Sequence, residues 1–136
     1  MKRILPNFLY IGAARCASTW IYQCLKEHAE IYVPPKRKEI HFFNNTKNYR
    51  KGTGWYSRFF CGVSTKTAIG ELTPVYLCSP QAPARISAII PRVRLIVSLR
   101  DPAQRAWSAY LGHITSGRIS PGTDIFSASE RLVFDN

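Results

Sequence analysis

The sequence predicts an α/β domain with a parallel sheet flanked by helices. Short apolar runs alternate with helix-length amphipathic segments, and glycine, proline or Asp-Pro punctuates the changes between them. The 136 residues, 46% hydrophobic and 20% charged, suit one globular domain and are far from a disordered composition.

Residues 8–11 are an apolar run closed by Gly12, the pattern of a buried strand. Ser18 is placed to cap a helix whose Ile21, Cys24, Leu25 and His28 share one face. Residues 31–33 predict a second short strand, stopped by Pro34-Pro35, after which Lys36-Arg37-Lys38 leads into Glu39-Ile40-His41-Phe42-Phe43. Residues 44–66 are polar and aromatic, with one short helix expected over 55–60. A strand follows over 67–72, closed by Thr73-Pro74. A helix over 80–90 presents Ala84, Ile86, Ile89 and Ile90 and ends at Pro91. Residues 94–99 are the clearest strand, because their centre is β-branched and apolar. Asp101-Pro102 opens the next helix with a capping carboxylate and a first-turn proline. Its expected buried stripe is Trp107, Tyr110, Leu111 and Ile114, and Gly117 is expected to end it. Residues 118–136 read as a loop and an incomplete C-terminal extension, so that 1–136 is a single, partial domain.

Lysine and arginine outnumber aspartate and glutamate by 19 to 8, a formal charge of +11 that favours an anionic partner. No apolar run approaches the ~20 residues a membrane helix needs. Pro6 and Asn7 interrupt the apolar stretch near the start, against a secretory signal. Cys16, Cys24, Cys61 and Cys78 form no C-x-x-C, so neither a zinc knuckle nor a thioredoxin-like site is indicated. Such scattered cysteines predict reduced thiols and a cytoplasmic location.

Three segments carry candidate chemistry. The strand-to-helix turn Gly12-Ala13-Ala14-Arg15-Cys16-Ala17-Ser18-Thr19 has small residues where backbone N–H groups can approach an anion, a fixed cation at Arg15, and a helix N-terminus behind it. Against the ATPase pattern G-x-x-x-x-G-K-[ST] it has Ala17 for the second glycine and Ser18 for the lysine, which counts against Mg-nucleotide hydrolysis. The second segment is Leu99-Arg100-Asp101-Pro102 followed by Arg105 and Ser108, the serine eight residues after Arg100. Arg100 stands at the end of the best strand, on the edge where open α/β sheets bind ligands, and with Ser108 offers a site for a second phosphate. The third is Glu39 with His41, two apart in an extended stretch and therefore on one side. Desolvation beside Phe42 and Phe43 is expected to raise the glutamate toward a useful base. Each segment alone is also explained by ordinary structure: a tight turn, a surface ion pair, a structural carboxylate.

In this order and spacing the three segments resemble the sulfotransferases that use 3′-phosphoadenosine 5′-phosphosulfate (PAPS), the bacterial members and the heparan sulfate glucosaminyl sulfotransferases above all. The resemblance runs from about residue 8 to residue 117. It implies a P-loop-nucleotide-hydrolase-like sulfotransferase fold, and PAPS as donor co-substrate without a metal. Arg15 falls at the family lysine of G-x-x-K-x-G-T-T, and Cys16, Ala17, Ser18 and Thr19 on the rest of its phosphosulfate loop. It further implies that Arg100 and Ser108 hold the 3′-phosphate, that Glu39 is the general base supported by His41, and that residues 70–76 line the acceptor cleft. The implied acceptor is a hydroxyl or amine on a small molecule or glycan, carbohydrate first, with a lipid, a peptide tyrosine or a natural product also open.

Two departures stand out. Arginine replaces lysine at position 15, and the loop is poorer in glycine than the family pattern. Two other classes remain open: a P-loop-like nucleotide kinase requiring Mg and ATP, and a basic nucleic-acid-binding module stacking bases on Tyr49, Trp55, Tyr56 and Phe59. The latter leaves the loop and the Arg100/Ser108 pair unexplained, so no specific nucleic acid is expected.

Overall fold

A computed structural model describes residues 3–63 and 67–127 of the chain. Four parallel strands form its centre: β1 (Phe8–Gly12), β2 (Ile31–Tyr32), β3 (Ala68–Leu72) and β4 (Arg94–Val97), in the order β2-β3-β1-β4. Helices α1 (Ser18–Glu27), α2 (Thr46–Tyr49), α3 (Gly52–Ser57) and α4 (Ala82–Ile89) lie in the connections between them, and α5 (Pro102–Thr115) follows β4. Short 3₁₀ turns cover Arg58–Phe60 and Pro74–Tyr76.

The crossover from β1 leads to one side of the sheet and that from β3 back past β1 to the other. With right-handed connections, α1 and α4 must then lie on opposite faces. The two cores agree with this. Phe8, Tyr10 and Leu72 pack with Tyr22 of α1, while Leu9, pointing the other way, packs with Ala82 and Ile86 of α4 and with the aromatic cluster of Phe42, Phe43, Tyr56 and Phe60. Phe42 and Tyr56 are stacked with ring centroids 4.2 Å apart.

Several sequence expectations change on folding. Ala17, not Ser18, is the N-cap of α1, and no side chain caps it. Its buried residue is Tyr22, flanked by half-buried Ile21 and Leu25; Cys24 and His28 are exposed. The face rotated because the Tyr22 hydroxyl finds a buried partner in the Pro34 carbonyl, 2.7 Å away. The 44–63 stretch holds two short helices and a 3₁₀ turn instead of one helix. In α4 the buried residues are Ala82 and Ile86, and Ala84 is exposed.

The strand read as clearest is the most exposed. Leu95, Ile96 and Val97 of β4 are 54%, 40% and 45% accessible, because β1 is the strand's only neighbour among the described residues. Helix α5 does not cover it either. It packs Ala109 and Tyr110 against Ile119, leaving Trp107 and Leu111 exposed where a buried stripe was expected. The ends of α5 follow the sequence: the Asp101 carboxylate accepts from the Gln104 N–H at 3.0 Å, and Gly117, at φ 72°, follows the last turn. The extension expected over 118–136 is a loop as far as 127, and the rest of it lies outside the described residues.

Candidate active site

All four strands are parallel, so their carboxyl ends share one edge, and the loops that leave it build the site. At the end of β1, Gly12 has φ 151°, and a Cβ there would come within 2.6 Å of the Pro74 carbonyl; only glycine fits. The turn that follows is held from below. The Ala13 N–H donates to the Ser98 carbonyl at 2.9 Å, and the Ser98 N–H to the Gly12 carbonyl at 2.8 Å. The Ser98 hydroxyl donates to the Cys16 carbonyl at 2.7 Å and shares a hydrogen bond with the Tyr10 hydroxyl. Arg15 and Ala17 are both left-handed, with φ 65° and 63°. The second position is where the family pattern places glycine, which reaches that conformation without steric cost. From Ser18 the chain enters α1, whose first-turn N–H groups have no partner within the helix and carry its positive dipole end.

Three arginines tie this loop to α5. Arg15 donates through Nε and Nη2 to the Ser108 carbonyl at 3.1 and 2.5 Å, leaving Nη1 outside those bonds. Its guanidinium fits because residue 112 is glycine: a Cβ there would lie 2.5 Å from Nη2. Arg105 donates to the Ala14 carbonyl at 3.1 Å, and Arg100 reaches the Arg15 carbonyl at 3.5 Å and Gln104 Oε1 at 3.4 Å. A cleft of about 510 Å³ opens above, and it brings together Arg15, Ala17, Ser18, Thr19, Glu39, Arg100 and Ser108. Lys38 and Arg118 add two further cations, and among the described residues Glu39 is the sole carboxylate on its lining.

Two site residues expected from the sequence stand elsewhere. Cys16 is buried beneath the loop, with its Sγ turned to the Ala14 carbonyl, and takes no part in the lining. His41 lies behind Glu39, its Nε2 at 3.3 Å from Glu39 Oε2 and its Nδ1 at 3.3 Å from Asn44. The two do share one side as expected, although His41 is left-handed at φ 55° and the stretch is not simply extended.

The expected elevation of Glu39 is overturned. Hydrogen bonding from His41 outweighs desolvation, and with Lys38 beside it the carboxyl is held below its usual range. His41 is raised in return by the same bond. Burial does elevate a carboxyl here, but it is Glu71, which is fully buried and pushed up to about 7 despite a 2.6 Å hydrogen bond from Tyr76. That tyrosine hydroxyl also accepts from the N–H groups of Phe42 and Phe43 at 3.0 and 3.3 Å, clamping the segment that bears Glu39. Of the segment expected to line an acceptor cleft, only Pro74 and Val75 reach this one; Glu71, Thr73 and Tyr76 are interior.

Sequence reasoning missed Tyr10 and Ser98, which shape the site from beneath, gave Arg105 and Lys38 no role, and placed Tyr76 on the acceptor cleft instead of beneath the site. Their signal exists only in three dimensions, since each acts on a segment distant in the chain. The aromatic platform imagined for nucleic acid is also resolved. Tyr56 is buried against Phe42, and Tyr49, Trp55 and Phe59 pack onto the same core. Among the described residues no cluster of histidine, cysteine, aspartate or glutamate is placed to hold a metal ion, no helix is long and apolar enough to cross a membrane, and none of the four cysteines is in a disulfide.

No protein-family model matches the chain. It is 34% identical over 109 residues to the membrane-associated sulfotransferase kil1 of Dictyostelium discoideum, covering 78% of this chain and 22% of that protein. It is 33% identical over 144 residues to the bifunctional heparan sulfate N-deacetylase/N-sulfotransferase 1 of Caenorhabditis elegans, covering 97% and 16%. A crystal structure of a sulfotransferase from Alicyclobacillus acidocaldarius superposes with a TM-score of 0.81 at 28% identity, covering 94% of this chain and 57% of that one. The chain thus spans less than a quarter of the curated relatives it matches and little more than half of the solved structure. The resemblance to sulfotransferases holds in sequence and in fold: the sheet, the loop after β1 and the helices around it are those of the P-loop-like sulfotransferase architecture.

Proposed function

We propose, from this likeness to the sulfotransferases, that the chain carries the donor site and the general base of an enzyme moving a sulfuryl group from PAPS to a hydroxyl or amine, with a glycan as first choice of acceptor. The observation that carries the reading is the cleft itself. A glycine-initiated loop, a helix N-terminus, Arg100 and Ser108 converge there around the Glu39 carboxylate. Its cationic lining fits a nucleotide bearing phosphate groups at two positions.

PAPS supplies the sulfuryl group. The chain's own residues bind and orient it and handle one proton. Ser18, Thr19 and the first-turn N–H groups of α1 hold the 5′ end, and Arg15 adds Nη1 and its charge where negative charge gathers on the departing phosphate. Arg100 and Ser108 take the 3′-phosphate and so fix the nucleotide in register. Glu39 accepts the proton of the acceptor hydroxyl or amine as the new bond to sulfur forms, and His41 orients that carboxylate from behind. The lowered acidity range of Glu39 keeps it ionised at neutral pH, ready to accept. The relatives that act on heparan sulfate, together with the basic charge of this chain, support a glycan acceptor.

A thermal-shift titration separates the classes. With 3′-phosphoadenosine 5′-phosphate at 100 times its dissociation constant, stabilisation of about 2.7 kcal/mol is expected, and Mg-ATP should give less. A larger shift with Mg-ATP would favour the kinase reading. Within the site, Arg100→Ala should weaken bisphosphate binding roughly tenfold or more. Glu39→Gln should leave that binding near wild type while reducing transfer by roughly 100-fold or more. If the two variants lose ligand affinity alike, Glu39 is a binding residue and the assigned base is wrong.

A further inference from the structure

The ammonium of Lys38 lies between the donor loop and the base. It donates to Ser18 Oγ at 3.0 Å, to Thr19 Oγ1 at 3.1 Å and to Glu39 Oε1 at 3.5 Å, so three acceptors meet its three N–H bonds. Its side chain is 21% accessible, and it lines the cleft. A hydroxyl that accepts from an ammonium has its own hydrogen left to give. Ser18 and Thr19, held in this way by Lys38, are turned into donors toward whatever sits on the loop. Arg15, by contrast, spends Nε and Nη2 on the Ser108 carbonyl.

We infer that Lys38 is a donor-site positioning residue: it orients the Ser18 and Thr19 hydroxyls to donate to the 5′-terminal anion of the nucleotide, adds its own charge there, and ties Glu39 to the loop. This rests on the donor-site reading above and deepens it. It also gives the Arg15 departure a physical meaning. A planar guanidinium docked on α5 serves as a strut between loop and helix, and the compact cation beside the loop hydroxyls comes from the next segment of the chain.

The test is calorimetric binding of two ligands to the whole chain and to Lys38→Met, Lys38→Arg, Ser18→Ala and the Lys38→Met/Ser18→Ala double variant. The ligands are 3′-phosphoadenosine 5′-phosphate and adenosine 3′-monophosphate, which lacks the 5′ anion. Lys38→Met is expected to lose roughly tenfold or more in affinity for the bisphosphate with affinity for the monophosphate unchanged, and Lys38→Arg to recover part of the loss. The double variant should lose less than the sum of its singles on a logarithmic scale, because one removal already undoes the arrangement. An unchanged bisphosphate affinity in Lys38→Met, or equal losses for both ligands, overturns the role of Lys38 while the donor site stands. Failure of the wild-type chain to bind the bisphosphate overturns both.

Discussion

Glu39 and Glu71 sit at the two ends of one connected run, from the cleft through the 39–43 segment and the Tyr76 hydroxyl into the core, and they titrate in opposite directions. Glu39 is partly exposed and has a histidine and a lysine against it, so its charged form is favoured. Glu71 is fully buried, and desolvation outweighs the hydrogen bonds from Tyr76 and Tyr56, so its carboxyl is pushed up to about 7. Burial therefore does not mark the proposed base in this molecule. The residue at the cleft is stabilised as an anion by its neighbours, and the desolvated one serves the fold by anchoring Tyr76 and, through it, the backbone of Phe42 and Phe43.

The largest effect that tests this division is on stability. At pH 5, Glu71→Ala should cost about 4 kcal/mol, combining a cavity with the buried Tyr76 O–H left without its Glu71 acceptor. Glu39→Ala should cost less than about 1 kcal/mol, as for other partly exposed ion pairs. Urea unfolding of the two variants decides it, and equal losses would remove the distinction.

A second test is the pH dependence of unfolding. A carboxyl raised in the fold binds its proton more tightly when folded, so the Glu71 contribution is complete below its ordinary value and disappears as pH rises to about 7. Wild-type stability should fall by about 3 kcal/mol between roughly pH 4.5 and 7 on this account. Glu71→Gln should flatten that interval. His41, also raised, loses its contribution as pH climbs above the ordinary histidine range, and this part should vanish in Glu39→Gln. Glu39 itself, being lowered, acts in the reverse sense: its contribution is present above the ordinary carboxylate range and is lost as pH falls into acid. A wild-type profile that rises with pH between 5 and 7 would show that Glu71 is not the dominant titrating group.

The smallest effect lies in the loop. Ala17 holds a left-handed conformation that costs an alanine of order 1 kcal/mol, and Ala17→Gly should recover up to about that much in the melting equilibrium. No gain would mean that the strain is relieved when the loop is unoccupied.

The sequence was readable where local pattern and function coincide. Gly12, Asp101-Pro102 and Gly117 mark real boundaries, because backbone conformation and capping are fixed within a few residues. The apolar runs at β1, β3 and β4 are real strands for the same reason. The three motifs also meet, since parallel strands necessarily bring their following loops to one edge. What only the tertiary structure decided is which side chains face what. Strand β4 is exposed despite its apolar composition, Cys16 turns inward, Arg15 docks on α5, Lys38 bridges Ser18 and Glu39, and the elevated carboxyl is Glu71. Burial, partner geometry and proton affinity depend on segments distant in the chain, and no local periodicity encodes them.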